Sequence, residues 1–539
     1  MKENKDKDIV TARKYWRFIE WFTKEKKVAF LSCIIFGFVT YLVLMINQSV
    51  CADPVLFLDY FKSSDWQNIN QGRWSTNIFY AMRGYIVDPV LSTSITIFSN
   101  ALVAVLFVDL FQIENKIAAS LIGIALAVHP YVANAMMYYS TSGTLFSVLP
   151  LLAVFIIYRT NLKYWIKIVI ATVLYTIVLG YSQSYICTMC TVALSIFLCN
   201  IVEREKKAWN CLVCNVISCG VSCVLYMLVW KILIKINNVS ILYGGAENYS
   251  IQNFLKNFWG SIKKIYSNFY EYFMGDSLIH NSYWNRQFMN CAIIIVVLVN
   301  LMLFLRKAYI SRKIGIKDIL IVIAGIFCFP IATIMISMIA TEYNFYLMMA
   351  NAFIFVIPLL IKFGMYKTGG RIWDRICPKL TLVLSIVIIW TFILSDIAGY
   401  RLLDHTFVQT KELASRILMR IENVEGFTYD MPVCFIGQPD TEAFSCDDVL
   451  YRASPGGTFS QQGVFPGIWE NSDGWGLYIY RYCGVKLNYY SNGMQNEIRR
   501  LAETEEFANR ECYPARDSIG VIDGVLVVKL GEYDSTLPD

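Results

Sequence analysis

Residues 28–47 read VAFLSCIIFGFVTYLVLMIN, a run of twenty positions without a charged side chain. A helix of this length spans about 30 Å, which matches the thickness of the hydrocarbon core of a bilayer. The 27 residues ahead of it are too long for the leader of a cleaved signal peptide, and no Ala-x-Ala site follows. We therefore expect a retained anchor helix.

Ten further apolar runs follow, and the whole set predicts a polytopic α-helical membrane protein with about eleven transmembrane helices. Only 16% of the 539 residues are charged, against about a quarter in soluble domains. The run 291–305 is short, and Pro330 is expected to kink the helix that holds it. The predicted spans are 28–47, 90–111, 117–135, 143–158, 164–181, 185–202, 210–234, 291–305, 318–339, 346–362 and 379–396.

The basic residues indicate how these spans are oriented, because cytoplasmic loops carry an excess of Lys and Arg. Residues 1–27 form a basic N-terminus, and alternate loops after it are also basic. The loops near 136–142, 182–184 and 340–345 contain neither Lys nor Arg. With an odd number of spans in 28–396, this pattern predicts a cytoplasmic N-terminus and a tail that lies outside the cytoplasmic membrane.

Two long segments lie on the outer side in this orientation, and both are too polar to span the membrane. They are 48–89 and 235–290, and both are rich in Trp, Tyr and Asn. Their composition favours amphipathic helices that lie in the membrane interface. Segments that only cap the bundle are the alternative.

The tail, residues 397–539, is predicted to form a small extracytoplasmic α/β domain. A helix is expected at 407–422, and strands are expected at 433–436 and 519–528. Within the last segment, Asp523-Gly524 lies between two β-branched runs, which predicts a hairpin.

Two sets of residues in this tail leave alternatives open. Four aromatic residues could line a glycan groove, although we favour a place in the domain core: Trp469, Trp475, Tyr478 and Tyr480. Four cysteines could form one or two disulfides outside the cytoplasm, and sequence cannot choose among three pairings: Cys434, Cys446, Cys483 and Cys512.

Several functions are disfavoured by what the sequence lacks. It contains no P-loop, which disfavours an ATP-driven pump, and no hydrolase or zinc-protease motif. A three-histidine metal site would need all of His129, His280 and His405, and no acidic cluster suggests another metal. We therefore predict no metal or cofactor. Few charges lie deep within the predicted spans, which weakens an ion-coupled transporter.

The first outer segment carries residues suited to sugar transfer. Asp53 or Asp59 could act as a general base on a sugar hydroxyl just above the bilayer. Arg73 could hold a phosphate with two parallel hydrogen bonds, and Trp74 could stack on a sugar ring or lie at the headgroup level. Each residue alone is a weak signal. An Asp in a loop, for example, is more often a solvated or helix-capping residue than a catalytic one. The choice between Asp53 and Asp59 stays open.

Three further residues are candidates for substrate contact. His129 and Tyr131 flank Pro130 at an outer helix end, and Glu342 lies in a short outer loop. A hydrogen-bonded packing role for His129 and a solvated position for Glu342 are the alternatives.

The layout of these residues resembles the GT-C class of membrane glycosyltransferases, and more closely the Gtr-type family of type II O-antigen glucosyltransferases. The similarity runs over most of the chain, and no single motif is diagnostic. It is carried by Asp53, Asp59, Gly72-Arg73-Trp74, His129-Pro130-Tyr131, Asp404-His405-Thr406 with the helix that follows, and the segments 433–437 and 519–530.

The resemblance implies an enzyme that moves a hexose, with glucose expected, from a polyprenyl-phosphate carrier to a cell-envelope polysaccharide. The reaction would occur on the outer face of the cytoplasmic membrane and would invert the anomeric carbon. Asp53 or Asp59 would be the base, and Arg73 would hold the leaving phosphate. The other residues expected to contact substrate are Trp74, His129, Tyr131 and Glu342. No nucleic-acid partner is expected, and no oligomeric state is implied.

Two other functions fit part of the same pattern. A polysaccharide polymerase or ligase also has many spans and large outer loops, but usually relies on outer Arg and His residues, of which this chain has few. A lipid-linked sugar flippase or transporter predicts two similar halves. The segments 48–89 and 235–290 match neither in position nor in sequence, which disfavours it.

Overall fold

A computed structural model describes the chain over residues 21–49, 65–82, 84, 88–137, 145–239, 251–275, 286–339, 345, 347–440, 448–454, 472–491 and 494–533. Three of the predicted site residues, Asp53, Asp59 and Glu342, lie outside these ranges, as do Trp469 and Cys446.

The described residues up to 239 form a series of α-helices. In chain order they are α1 (Lys24–Asn47), α2 (Asp65–Asn70), α3 (Trp74–Met82), α4 (Pro89–Leu110), α5 (Lys116–Ala127), α6 (Pro130–Met137), α7 (Val148–Arg159), α8 (Tyr164–Tyr181), α9 (Tyr185–Glu203) and α10 (Ala208–Asn237).

The helical series continues from residue 251 to residue 422. Its helices are α11 (Ile251–Met274), α12 (Arg286–Ile310), α13 (Ile316–Thr333), α14 (Ile336–Ile339), α15 (Val356–Gly364) and α16 (Trp373–Glu422). Two short 3₁₀ segments, Leu347–Met349 and Asn351–Phe355, precede α15.

Nine segments of the described chain are long and apolar enough to cross a membrane. They are α1, α4, α5 together with α6, α8, α9, α10, α12, α13 and α16. The helix α7 and the segment Asn351–Gly364 are apolar but shorter. Each of the eleven predicted spans coincides with one of these segments, so the polytopic helical fold is confirmed.

Two spans differ in detail from the prediction. The span predicted at 291–305 is present and is longer than its apolar run, because polar residues at both ends extend α12 to 25 residues. The span predicted at 318–339 ends earlier, at Thr333, three residues after Pro330. Because Pro330 lacks an N–H, it weakens the last turns of α13, and the separate short helix α14 follows.

The helix α1 packs closely against α4 and α5 through small residues. Gly37 lies against Ile97 of α4, where an added Cβ would come within 3.0 Å of the Ile97 side chain. Gly123 of α5 is closer still, because its Cβ would lie 2.2 Å from the carbonyl oxygen of Ala29. Small residues of this kind let membrane helices approach each other, so α1 lies within van der Waals distance of both neighbours.

The two ends of the bundle differ in character. At one end of the bundle, α1 and α8 finish and α9 begins. We call this end the loop face, and α2 and α3 lie on it. At the opposite end, Lys26 of α1 forms an ion pair with Asp109 of α4, and Arg159 donates to the carbonyl oxygen of Asp109 at 3.1 Å. A second ion pair there joins Lys362 to Glu203 at 2.9 Å. Charged contacts therefore fasten the end opposite the loop face.

The helix α16 is continuous over 50 residues and joins the bundle to the tail. It contains both the predicted span 379–396 and the predicted helix 407–422. No proline separates the two, and Gly399 costs a helix only about 1 kcal/mol. At 1.5 Å per residue α16 is about 75 Å long, which exceeds the thickness of a bilayer.

The tail contains a four-stranded sheet, as predicted for a small α/β unit. Its strands are β1 (Pro432–Ile436), β2 (Asn488–Tyr489), β3 (Ile519–Ile522) and β4 (Val525–Lys529), in the order β2-β1-β4-β3. Strand β1 is parallel to β2 and β4, whereas β3 and β4 are antiparallel. Asp523 and Gly524 have φ values of 49° and 79°, as a type I′ turn requires, so the hairpin prediction is confirmed.

Short helices cover this sheet and test the predicted core. They are α17 (Asp448–Ala453), α18 (Ser472–Tyr478), α19 (Gln495–Ala502) and α20 (Glu505–Asn509). Trp475 and Tyr478 are fully buried, which confirms a core position for these two. Tyr480 is 50% exposed, so its predicted core position was wrong. It lies in the π-helical segment Ile479–Cys483, which follows α18 directly.

The cysteines of the described tail are free. Cys434, Cys483 and Cys512 are not joined to one another. Cys434 lies in β1, where burial raises the pKa of its thiol to about 12. A thiol with so high a pKa is not nucleophilic near neutral pH, so Cys434 acts as a packing residue.

Arg420, in the last turn of α16, fastens the tail to that helix. Its guanidinium donates to the carbonyl oxygens of Pro514, Ala515 and Arg516 at 3.0, 2.5 and 3.0 Å. A planar cation with several donors suits such a cluster of carbonyl groups.

We predict that Arg420→Met loosens the tail and lowers its free energy of unfolding by about 1–3 kcal/mol, because three carbonyl groups lose a charged donor. Limited proteolysis of the purified protein should then cleave the tail faster. Arg416→Met, at an exposed position one turn earlier on α16, is the matched control and should behave as the parent. Equal cleavage rates for the two variants would contradict this role of Arg420.

Candidate functional site

The chain breaks between α5 and α6, at His129 and Pro130, inside the predicted span 117–135. Pro130 has no N–H to donate to the preceding turn, so the helix does not continue through this position. In an unbroken helix the N–H of Tyr131 would donate to the carbonyl of Ala127. Here it donates to Nδ1 of His129 at 3.1 Å. The predicted span is therefore two helices, with a histidine at the break.

Hydroxyl groups from α1 and α16 complete the hydrogen bonding of this break. Tyr41 of α1 donates to the carbonyl oxygen of Ala127 at 2.8 Å. The same hydroxyl lies 3.3 Å from Oδ2 of Asp396 on α16. One turn further along α16, Tyr400 donates to the carbonyl oxygen of Ala133 at 2.7 Å. The break is thus built from three separate parts of the chain.

Asp396 is a candidate functional residue that the sequence analysis missed. It is fully buried, and its second oxygen, Oδ1, has no hydrogen-bond partner among the described residues. Burying an ionisable side chain inside a membrane bundle is costly, which marks the position as a candidate for function. A signal was present in the sequence, since Asp396 is the one acid in the predicted span 379–396.

His129 is buried, and protein groups occupy both of its ring nitrogens. Nδ1 accepts the backbone N–H of Tyr131, and Nε2 lies 2.6 Å from the hydroxyl of Tyr272 on α11. The ring also packs edge-on against Phe392 of α16, with the ring centroids 5.3 Å apart. Substrate contact by His129 stays a prediction. In this arrangement His129 would act on a substrate through Tyr272.

Tyr272 is held firmly at the end of α11. Its ring stacks on Phe353, with the centroids 3.9 Å apart. Arg286 and Asn290 of α12 donate to the carbonyl oxygens of Tyr272 and Phe273, at 3.4 and 3.0 Å. These carbonyls lie in the last turn of α11, where no further helical N–H can reach them. Sequence reasoning missed Tyr272, because no local pattern marks a contact made 143 positions away.

Aromatic rings connect the break to α3. Tyr131 and Tyr185 interact through their side chains, and the ring of Tyr185 lies 6.1 Å from that of Tyr181. Tyr181 stacks on Phe146 at 3.8 Å, and Phe146 packs edge-on against Phe79 of α3 at 5.8 Å. The break and α3 therefore border one aromatic cluster at the loop face.

The turn Gly72-Arg73-Trp74, between α2 and α3, is held tightly in place. Gln183, just ahead of α9, donates to the carbonyl oxygen of Gln71 and to the hydroxyl of Tyr226, both at 2.8 Å. Gly72 has a φ of 73°, and a Cβ added there would lie 2.3 Å from the Tyr226 hydroxyl. Only glycine fits this conformation and this space.

Arg73 and Trp74 carry two unused hydrogen-bond donors. Nε of Arg73 and Nε1 of Trp74 are buried, and neither has a partner in the part of the chain that the structure describes. The indole of Trp74 packs directly on Gly180 of α8, where a Cβ would lie 2.4 Å from the ring. A buried donor without an acceptor costs about 1–3 kcal/mol, which a ligand with oxygen acceptors would recover.

The segment with Asp53 and Asp59 lies outside the described residues, but its starting point does not. Ser49, two residues beyond α1, donates to Oδ1 of Asp404 on α16 at 2.6 Å. The segment therefore starts beside α16, on the loop face. Asp404 is a carboxylate near this starting point.

The described residues contain no group of three or more His, Cys, Asp or Glu side chains that could hold a metal ion. What the loop face offers instead is N–H and O–H donors beside aromatic rings. Such a set suits a ligand that has oxygen acceptors and a flat apolar face, such as a sugar phosphate.

The polytopic helical bundle with a small C-terminal sheet is consistent with a GT-C-like membrane glycosyltransferase. A family model described as Glucosyl transferase GtrII matches residues 41–357, which is more than half of the chain. The chain therefore belongs to the GtrII glucosyltransferase family. No curated protein and no solved structure matches it.

Family membership confirms the recognition made from the sequence. The chain is a multi-pass membrane protein of a glucosyltransferase family, whose reaction requires a sugar donor and an acceptor. The matched segment includes both the turn at Arg73 and the break at His129, and it ends within α15. Asp396 and Asp404 lie beyond it.

We predict that Gly72→Ala displaces the Arg73 turn and lowers both thermal stability and transfer activity, because the new Cβ overlaps Tyr226 and Gln183. Gly84→Ala is the matched control, since Gly84 also has a positive φ, 65°, but no atom of the described residues within 4 Å of an added Cβ. Both variants carry a backbone strain of about 1–2 kcal/mol, and only Gly72→Ala adds the overlap. Equal losses in melting temperature and activity would contradict the tight packing of this turn.

We predict that Tyr41→Phe destabilises the bundle by about 1–3 kcal/mol, because the carbonyl of Ala127 and the carboxyl of Asp396 lose their hydroxyl partner in apolar surroundings. Asp396→Asn should be milder, since the amide keeps a polar group next to Tyr41 and introduces no charge. Thermal unfolding of the detergent-solubilised proteins measures both effects. If Tyr41→Phe melts at the same temperature as the parent, the break does not depend on this hydroxyl.

Proposed function

We propose that this enzyme transfers a hexose, with glucose expected, from a polyprenyl-phosphate carrier to a cell-envelope polysaccharide at the outer face of the cytoplasmic membrane. The observation that carries the proposal is a pair of buried donors, on Arg73 and Trp74, that have no acceptor in the described part of the chain. A guanidinium and an indole N–H on one rigid turn suit the oxygens of a phosphate group. A phosphate presented to a membrane-embedded site is best supplied on a lipid carrier.

The motifs that the sequence lacks agree with a donor that carries no nucleotide. It contains no P-loop and no dinucleotide fingerprint, either of which would bring a glycine-rich phosphate loop. A polyprenyl phosphate needs no such loop, since its lipid chain is held by the bilayer and by apolar helices. The absence of both motifs is therefore consistent with the proposed polyprenyl carrier.

The proposed reaction is a single displacement. Asp53 or Asp59 takes the proton of an acceptor hydroxyl, and the acceptor oxygen forms a bond to the anomeric carbon of the donor sugar. The bond from that carbon to the phosphate oxygen breaks, and its electron pair leaves with the polyprenyl phosphate. Attack opposite the leaving group inverts the anomeric carbon. Arg73 stabilises the negative charge that develops on the leaving phosphate.

The orientation is proposed from the distribution of basic residues. Residues 1–27 are placed in the cytoplasm, 28–396 form the membrane domain, and 397–539 form an extracytoplasmic domain. In this orientation the loop face, with the Arg73 turn, lies at the outer surface. That is the side on which an envelope polysaccharide is available.

The remaining predicted contacts keep separate roles in this proposal. Trp74 provides an aromatic face and an N–H donor, and Tyr131 belongs to the aromatic cluster that borders the sugar. His129 contributes indirectly, because both of its ring nitrogens are occupied. Glu342 is proposed as a further contact from the short loop that carries it.

The test is a transfer assay in nanodiscs with radiolabelled polyprenyl-phosphate glucose and crude envelope glycan. The parent should label the glycan, and Arg73→Gln should reduce the rate about 10²–10³-fold, as the loss of one charge-stabilising donor does in other enzymes. Of Asp53→Ala and Asp59→Ala, the variant that lacks the base should be inactive. Arg401→Gln, at an exposed position on α16, is the control and should retain the parent rate.

The products distinguish the alternatives. Full activity of the Asp53→Ala/Asp59→Ala double variant, with folding intact, would overturn the assignment of the base. Glycan of increased chain length, instead of one added side sugar, would indicate a polymerase. Movement of the lipid-linked sugar across the membrane without a new bond would indicate a flippase.

A further inference from the structure

The hydrogen bond between His129 and Tyr272 has a defined direction. Nδ1 of His129 accepts the backbone N–H of Tyr131 at 3.1 Å, so this nitrogen carries a lone pair. A neutral imidazole then has its hydrogen on Nε2. Nε2 lies 2.6 Å from the Tyr272 hydroxyl and therefore donates to it. The Tyr272 oxygen is the acceptor in this pair, and the hydroxyl keeps its own hydrogen.

That hydrogen has no protein acceptor in the described part of the chain. The bond with His129 is the one hydrogen bond found there for the Tyr272 hydroxyl. Tyr272 itself is 5% exposed. An unmet O–H in buried surroundings costs about 1–3 kcal/mol, and an oxygen atom of a bound ligand would recover this cost. The Tyr272 hydroxyl is thus a donor held ready for a ligand.

The position of this donor is fixed from several sides. The stack on Phe353 sets the plane of the ring, and Arg286 and Asn290 set the backbone through their bonds to carbonyl oxygens in the last turn of α11. Because Arg286 is used in this way, the nearest described cation is directed at backbone groups. A neutral O–H donor remains for the ligand.

The surroundings favour a sugar over a phosphate as the bound group. His129 and Tyr272 lie among the rings of Phe353 and Phe392, which are buried and apolar. Here the described groups offer one neutral O–H donor, which suits a single hydroxyl oxygen of a hexose, whereas a phosphate needs cations or several N–H donors. The phosphate is already provided for at Arg73 and Trp74.

We propose that the Tyr272 hydroxyl donates a hydrogen bond to one hydroxyl oxygen of the transferred hexose, and that His129 is the positioning residue that directs this hydroxyl. Tyr272 would then contribute to the choice of sugar. This inference rests on the proposed function, since it assumes a hexosyl donor at the loop face.

The test compares deoxy sugars in the parent and in Tyr272→Phe, which keeps the ring and its stack on Phe353. Polyprenyl-phosphate donors carrying glucose or its 2-, 3-, 4- or 6-deoxy form are assayed in nanodiscs. With the parent, one deoxy donor should lose about 10- to 100-fold in kcat/KM relative to glucose. With Tyr272→Phe, glucose should fall by the same factor, and the penalty for that deoxy donor should disappear.

The role of His129 is tested by His129→Asn in both backgrounds, because the amide oxygen of Asn can still accept the N–H of Tyr131 while no donor is left at the position of Nε2. If His129 acts through Tyr272, the change should reduce kcat/KM for glucose in the parent and have no further effect in Tyr272→Phe. It should also weaken the discrimination against the same deoxy donor. Equal losses in the two backgrounds would assign His129 a role of its own.

The outcomes separate this inference from the proposed function. No transfer by the parent from any donor would remove both. Transfer from glucose with unchanged deoxy penalties in Tyr272→Phe would keep the function and overturn the role of Tyr272. A uniform loss for all donors, together with a lowered melting temperature, would show that Tyr272 serves only to pack the end of α11.

Discussion

The break between α5 and α6 is the constraint on which the loop face depends. Inside a membrane, every backbone N–H and C=O group must find a partner within the protein. Pro130 removes one donor and interrupts the helix, so the N–H of Tyr131 and the carbonyl of Ala127 need new partners. The ring of His129 and the hydroxyl of Tyr41 provide them. Tyr41 also contacts α16, so closing the break requires two distant helices to lie against it.

At the break, the displaced backbone groups find protein partners. In the α2–α3 turn, backbone carbonyls are also satisfied, but two side-chain donors are not. Trp230 donates to the carbonyl of Ile69, and Gln183 donates to that of Gln71, so neighbouring helices satisfy backbone carbonyls of the turn. The side-chain donors Nε of Arg73 and Nε1 of Trp74 have no acceptor among the residues that the structure describes. A turn that needed these donors for its own stability would have used them. This is the feature on which we base the proposal that the turn binds a ligand.

The features predicted from the sequence are those with a local cause. The spans follow from apolar runs, and the β3–β4 hairpin follows from Asp523-Gly524, whose residues tolerate positive φ. The site depends on contacts between residues far apart in the chain. His129 and Tyr272 are separated by 143 positions and Tyr41 and Asp396 by 355, and no periodicity connects such pairs. The Arg73 turn could be named from the sequence, but the freedom of its donors could not.

The helix α16 connects the candidate site to the tail, because one continuous helix contacts both. Positions 396, 400 and 404 lie on one face, since each is about one turn from the next. Asp396 contacts Tyr41, and Tyr400 donates to the carbonyl of Ala133 next to the break. Asp404 accepts a hydrogen bond from Ser49, at the start of the first long segment. The same helix continues without interruption to Arg420, which fastens the tail. A shift of the tail would therefore move this face as a rigid unit, so the attachment of the tail stabilises the position of α16 against the break.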